Sequence, residues 1–389
     1  MIEPLPPSLS LKKLLRSAAF RGVVSRVLIV GCVALSSQGG QAQTQAQTLD
    51  ETITSAPSSN AIQDLNALVE QGRKLVDTKD WAGALDAFQK AAVLDGKNPR
   101  IFSGIGYVQA QKGNFQEAVA AYRQAIALDR NNVDFEYALG FSLANLGDDE
   151  AAATSYRRVI ERDPKHISAY LGLGTVLARR DHFDLAIASY QQLLRIEPKH
   201  AEAQEAIGLL YLQQGNIDAG ISALQTAATL DSRRSSIHFG LGVARLTQGD
   251  QQAALAAFNQ AAQLDPRNGK LQLHLGSVLR DMGDVQGAMA AYQKAATVSP
   301  DLAEAQLALG DLAFEQNETM RSLLAYREVI RLLPTHAHAH YQLGQVLKMR
   351  DRTAEAIEAL QTAQQLYQQQ GRSDEAKTVE TALQELTQS

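Results

Sequence analysis

Residues 167–200 read ISAYLGLGTVLARRDHFDLAIASYQQLLRIEPKH, and residues 201–234 read AEAQEAIGLLYLQQGNIDAGISALQTAATLDSRR. Laid one under the other, the two segments share a glycine at position 8, an aliphatic residue before it, a small residue at position 20 and a large one at position 24. The register extends in both directions. A glycine recurs every 34 residues nine times, at Gly72, Gly106, Gly140, Gly174, Gly208, Gly242, Gly276, Gly310 and Gly344. The units so defined begin at Leu65, Pro99, Val133, Ile167, Ala201, Ser235, Gly269, Ala303 and Ala337 and run through residues 65–370.

The columns have a physical reading. A glycine inside a helix costs roughly 1 kcal/mol relative to alanine, so its recurrence predicts a close helix contact at position 8. Small residues at position 20 (Ala84, Ala118, Ala152, Ala186, Gly220, Ala254, Ala288, Ser322 and Ala356) are expected to let a second helix approach it. Position 24, large and mostly aromatic (Phe88, Tyr122, Tyr156, Tyr190, Leu224, Phe258, Tyr292, Tyr326, Leu360), would fill the space beside them. Proline at position 32 (Pro164, Pro198, Pro266, Pro300, Pro334) predicts the end of the second helix. Each unit reads as helix, turn, helix. A helix of about 14 residues is marginal alone, so stacking on neighbours must supply the burial.

These columns resemble the tetratricopeptide repeat family over residues 65–370. The resemblance implies an all-α fold: a right-handed superhelical solenoid of nine 34-residue helix-turn-helix units, here followed by a C-terminal capping helix at 371–389. It also implies a concave groove lined by positions 2, 5, 9, 12 and 13 of the first helices. In this chain the partner-binding candidates there are Tyr107, Tyr137, Phe141, Leu171, Arg179, Leu209, Phe239, Val243 and Arg280. Leu212, Leu246 and Leu273 add apolar surface, and Asn145, Glu205, Gln213 and Asp281 add polar groups. Such a surface suits an extended or helical peptide with apolar anchors. Position 12 is expected to pack between neighbouring first helices instead. Two specialisations of the family do not carry over. No unit has the Lys at position 5 with Asn at position 9 that grips carboxylate tails. Position 6 (Glu70, Gly104, Ala138, Gly172, Ala206, Gly240, His274, Ala308, Gln342) holds no asparagine ladder.

The N-terminal segment is of another kind. Lys12, Lys13, Arg16, Arg21 and Arg26 precede an apolar run at 27–35 and then small residues, which reads as a Sec-type signal peptide over 1–42, cleaved after Ala42 or Ala46. The run is too short to span a bilayer. The single cysteine, Cys32, offers a second reading as a lipoprotein acylation site, and membrane attachment is expected only in that case. Residues 1–42 hold five Lys or Arg and one Glu, so the remainder carries −9 against −5 for the whole chain. Residues 43–64 are rich in Gln, Thr and Ser and read as a flexible tether leading into the first helix, with Asn60 as its expected N-cap. At the other end, Ser373 is the expected cap of a final helix whose Ala376, Val379, Ala382, Leu383 and Leu386 share one side.

The remaining chemistry is sparse. Glycine pairs such as Gly172 and Gly174 lie inside expected helices and lack the strand and third glycine of a phosphate loop. His336, His338 and His340 have no acidic or thiol neighbour at ligand spacing, while His166, His200 and His336 share position 34. No metal, cofactor or small-molecule substrate is therefore expected. Without a basic stripe, nucleic acid is not an expected partner either. The sequon at Asn317 is a single weak match. Repeats, tether and cap leave no second domain to assemble a catalytic constellation, so the chain reads as a non-enzyme. The expectation is a protein-binding scaffold or adaptor in the bacterial periplasm or cell envelope. Alternatives are a lipid-anchored envelope factor of outer-membrane or pilus assembly, and a targeting subunit of a separate enzyme.

Overall fold

The computed structural model describes residues 59–388; the proposed signal peptide, its cleavage sites, Cys32 and residues 43–58 of the tether lie outside them. The described residues fall into two compact units, 59–214 and 215–388. The first contains α1 (Ser59–Asp77), α2 (Trp81–Leu94), α3 (Pro99–Gln111), α4 (Phe115–Leu128), α5 (Val133–Leu146), α6 (Asp149–Arg162), α7 (Ile167–Arg179), α8 (Phe183–Ile196) and α9 (Ala201–Gln214). The second contains α10 (Ile217–Leu230), α11 (Ser235–Thr247), α12 (Gln251–Leu264), α13 (Gly269–Asp281), α14 (Val285–Val298), α15 (Ala303–Glu315), α16 (Thr319–Leu332), α17 (Ala337–Met349), α18 (Thr353–Gln369) and α19 (Ser373–Gln388). No strand occurs among the described residues. Helices α3, α5, α7, α9, α11, α13, α15 and α17 open on the residues that open the sequence units, so the repeat phase is the helix phase.

Packing at position 8 corrects the sequence reading in its detail. The nearest atoms to Gly72, Gly106, Gly140, Gly174, Gly242, Gly276 and Gly310 belong to the ring at position 24 and not to the small residue at position 20; at Gly344 they belong to Leu360, with the Ala356 carbonyl of position 20 next at 3.3 Å. A Cβ placed on Gly174 would lie 2.5 Å from Tyr190, one on Gly276 2.5 Å from Tyr292, and one on Gly242 2.8 Å from Phe258. The same rings are met from the other side by position 6 of the next repeat. Phe88 is flanked by Gly72 and Gly104, and Tyr156 by Gly140 and Gly172. A flat ring between two glycines replaces the helix-backbone contact expected, because the ring needs its whole thickness there. Position 20 is buried as foreseen, with Ala84, Ala118, Ala152, Ala186, Ala254, Ala288 and Ala356 wholly enclosed.

Turn chemistry unread in the sequence sets the helix ends. Position 15, between the two helices of a repeat, has positive φ throughout: Gly113, Gly147, Gly215, Gly249 and Gly283, but also Lys79, Asp181, Asn317 and Asp351 near +60°. Next to it, Asp80, Asp148, Asp250 and Asp284 accept from backbone N–H groups three residues on and cap the second helices. Between repeats, Asp95, Asp129, Asp163 and Asp231 at position 31 accept from the N–H two residues on, an Asx turn that ends the helix without requiring proline. Accordingly α2, α4 and α10 stop in register although Gly96, Arg130 and Ser232 occupy position 32.

The recurring histidine at position 34 has a structural duty. Nδ1 of His166, His200 and His336 accepts from the N–H of Ala169, Ala203 and Ala339, at 3.1, 3.2 and 3.1 Å, and so caps the next first helix. Asn132 and Asn268 do the same through their amide oxygens. Two expected caps are corrected: α1 begins at Ser59, one residue before Asn60, and α19 begins on Ser373 itself, behind Arg372. Helix α19 buries Ala376, Val379, Ala382 and Leu386 against Leu360, Ala363 and Tyr367 of α18, with Leu383 partly covered. The Arg372 guanidinium lies 4.8 Å from the centre of the Tyr367 ring.

Candidate partner-binding surface

Nine side chains nominated for the groove divide sharply by burial. Leu171, Leu209, Phe239 and Val243 are buried, so they support the wall and offer no surface in this conformation. Tyr107, Tyr137, Phe141, Arg179 and Arg280 are half-buried. Of the accessory residues, Leu212 and Glu205 are buried, Leu246, Leu273 and Gln213 half-buried, and Asn145 and Asp281 exposed. Position 12 is buried at Ala110, Ala144, Ala178 and Leu212, but Val76, Leu246, Arg280, Phe314 and Lys348 of the same column are only half-buried, so the expected inward packing holds in part.

In the first unit the half-buried rings form pairs across repeats. Tyr107 on α3 meets Trp81 at the start of α2, ring centres 6.4 Å apart and edge to face. Phe141 on α5 meets Phe115 at the start of α4 at 6.5 Å in the same geometry. Positions 9 and 17 of successive repeats are therefore aromatic partners twice over, and Trp81 and Phe115 are surface residues that the sequence reading missed. Tyr137, one helical turn before Phe141, lies 4.9 Å from the His166 ring and 5.9 Å from the Tyr156 ring. Edge-to-face pairs of this kind hold rings in place while leaving part of each in water.

Position 9 also answers position 24 within a repeat. The Tyr190 hydroxyl is 3.3 Å from Thr175 Oγ1, the Tyr292 hydroxyl donates to Ser277 Oγ at 3.3 Å, and the Tyr326 hydroxyl donates to Asp311 Oδ1 at 2.9 Å. In the repeat of Phe258, which has no hydroxyl, position 9 is the apolar Val243. Burial raises the Tyr122 phenol well above its ordinary value, assisted by Tyr107. Burial likewise pushes the Asp311 carboxyl up, with the Tyr326 hydrogen bond opposing it.

Both nominated arginines are committed to neighbouring repeats. Arg179 is ion-paired with Asp149, and its Nη2 donates to the Ala144 carbonyl at 2.8 Å. Arg280 pairs with Glu315 at 2.6 Å. A ladder lies beside them. Position 14 reaches position 18 of the repeat before: Arg180 to Glu150 at 3.3 Å, Gln214 to Asp184 at 2.8 Å and Gln248 to Asp218 at 2.8 Å.

In the second unit, Phe239 lies 5.5 Å from Phe258 and 5.2 Å from His274, and burial lowers the His274 pKa to about 4, with Lys270 adding to the effect. Of the three clustered histidines, His336 caps α17 and His340 Nε2 lies 3.0 Å from the Pro334 carbonyl. His338 Nε2 stands 3.9 Å from Asp311 Oδ1. Among the described residues no three His, Cys, Asp or Glu side chains are grouped to hold a metal ion, and no helix is long and apolar enough to cross a membrane.

The family profile described as Tetratricopeptide repeat matches overlapping segments from residue 137 to residue 371, more than half of the chain, and a second, described as TPR repeat, matches 108–147. The chain belongs to the tetratricopeptide repeat family. No curated protein matches the sequence. Among solved structures, a tetratricopeptide repeat protein from Parabacteroides merdae is 18% identical with a TM-score of 0.54, covering 65% of this chain and 99% of that one. Pseudomonas aeruginosa pilF is 22% identical with a TM-score of 0.47, covering 53% and 93%. MamA from Desulfovibrio magneticus is 26% identical with a TM-score of 0.41, covering 43% and 95%. These likenesses concern the fold. Tetratricopeptide arrays are generally scaffolds that bind other proteins, and both units here have that architecture.

Proposed function

We propose that this tetratricopeptide chain is a non-catalytic scaffold that captures a partner protein on the half-buried rings of its first unit: Trp81, Tyr107, Phe115, Tyr137 and Phe141. The observation that carries the reading is their exposure. In the same columns of the second unit Phe239 and Val243 are buried and Tyr341 is the one half-buried ring, whereas here five half-buried rings keep an open side, four of them paired edge to face. Rigid aromatic side chains give large contact area at low entropic cost, and such residues dominate protein interfaces. The partner would present apolar anchors in an extended or helical segment. Arg179 and Arg280 act as inter-repeat ties through Asp149 and Glu315 at the edge of this surface.

The order of basic, apolar and small residues over 1–42 supports export to the periplasm or cell envelope. Intact mass of the protein recovered from a periplasmic extract should give an N-terminus at Gln43 or Gln47; a diacylglyceryl mass on Cys32 would instead favour the lipid-anchored alternative. For the surface, Tyr137→Ala with Phe141→Ala should weaken a purified partner, first obtained by capture from the envelope fraction, by about tenfold or more, since buried aromatic anchors contribute roughly 1–2 kcal/mol or more each. Unchanged affinity in a folded double variant would remove this surface from consideration.

A further inference from the structure

The N-terminal end of the first unit differs from every later repeat junction. Positions 3 and 10 of the first helix are buried in each following repeat, for example Ile101 with Val108 and Leu271 with Val278. In the first repeat they are Ala67 and Lys74, both exposed. Beside them lies a cavity of about 550 Å³ between α1 and α2, lined by Asp64, Ala67, Leu68, Gln71, Lys90, Val93 and Leu94. Val93 is 86% exposed. Its column, position 29, is otherwise Ala127, Glu161, Arg195, Thr229, Gln263, Thr297, Arg331 and Gln365, small or polar each time. Val93 does not stand singly: Leu94 beside it is also exposed, and with Ala67 and Leu68 on α1 they make a contiguous apolar patch at the end of the stack.

We propose that residues 49–53 of this same chain supply the cover: Leu49 and Ile53 seat in the cavity and close the N-terminal end of the stack, as α19 covers α18 at the other end. Leu49 and Ile53 are the only large apolar side chains in residues 36–61. They stand four residues apart in the sequence. Pro57 stands between them and α1 and favours a change of direction. The reach suffices. From Ser59 to Leu68 the helix advances about 14 Å, and the six steps from Ile53 to Ser59 span up to about 20 Å when extended.

Charge agrees in part: Asp50 and Glu51 would approach exposed Lys74, whereas the rim residue Lys90 is already paired with Asp86 at 2.7 Å and Asp64 on the same rim opposes them. A tether this short gives an effective concentration in the millimolar range. A contact made by only two side chains is therefore populated within one chain, whereas a second copy would need comparable bulk concentration. The segment thus becomes part of the stack in place of the fully solvated tether its composition suggests.

Hydrogen exchange on the full exported chain tests this, because residues 49–53 remain whether the leader ends at Ala42 or Ala46. Leu49→Ser with Ile53→Ser should speed exchange in residues 63–75 and 88–95 about tenfold while α5 to α8 keep their rates, which shows that the fold persists. Val93→Ser should do the same, and combining all three should add little. A synthetic peptide of residues 47–56 at millimolar concentration should restore protection to the Leu49→Ser, Ile53→Ser chain. Unchanged exchange in α1 and α2 overturns the proposal. So does protection that depends on protein concentration, with Val93→Ser turning a dimer into a monomer in sedimentation, since the occupant is then a second copy.

Discussion

At the scale of single residues, the pairing of a glycine with a ring governs tolerance to change. Gly174 faces Tyr190 so closely that even a methyl group must displace the ring, whose hydroxyl is held near Thr175. Gly174→Ala should therefore destabilise by about 1–3 kcal/mol, the usual range for overpacking, despite the helix propensity that alanine adds. Gln192→Leu, on an exposed face of α8, should stay within about 0.5 kcal/mol. Denaturant midpoints of the two variants decide it. Lys79 is the opposite case, a lysine at φ +60° where five other repeats use glycine. Lys79→Gly should stabilise the first repeat by up to about 1 kcal/mol, read as slower exchange in α1 and α2. The glycine column was legible in the sequence because it is invariant. Its partner was misread because spacing alone does not say which of two nearby columns, 20 or 24, points at it.

At the scale of elements, helix ends are built from side chains whose charge depends on pH. His336 caps α17 through an unprotonated Nδ1, and burial, with His338, holds its pKa below the ordinary value. His338 is lowered by burial and Arg372, and His274 to about 4. A folded-state pKa below the unfolded 6.5 means that the unfolded chain binds the extra proton between the two values, so stability is lost as pH falls from about 6.5 towards 4. Asp311, raised by burial, works in the opposite sense at the acid end of that window. The second unit should melt at lower temperature at pH 4.5 than at pH 7, and His274→Phe, which keeps a ring against Phe239, should remove part of the difference. Calorimetry at the two pH values checks this. The sequence showed His166, His200 and His336 sharing position 34, but not that Asn132 and Asn268 of the same column share their capping duty, because a common hydrogen-bonding role joins residue types that sequence comparison treats as unlike.

At the scale of the whole molecule, stability is a sum over repeats and the junctions between them, and the ends matter most because each has one junction missing. Helix α19 covers Leu360, Ala363 and Tyr367, so deletion of residues 371–389 should lower the melting temperature by several degrees and promote self-association, seen by calorimetry and light scattering. An unaltered monomeric truncation would show that α19 is dispensable. By itself the sequence determined the all-α class, the 34-residue phase and the first-helix starts of the second to ninth repeats, since these follow from periodic patterns that each repeat restates. Only the tertiary structure decided which groove candidates keep a face in water: Leu171, Leu209, Phe239 and Val243 share their columns with Tyr107, Tyr137 and Phe141, yet they are buried. Column membership places a side chain on a helix face, but exposure depends on the size of what the neighbouring repeat sets against it, as Trp81 against Tyr107 and Phe115 against Phe141 show.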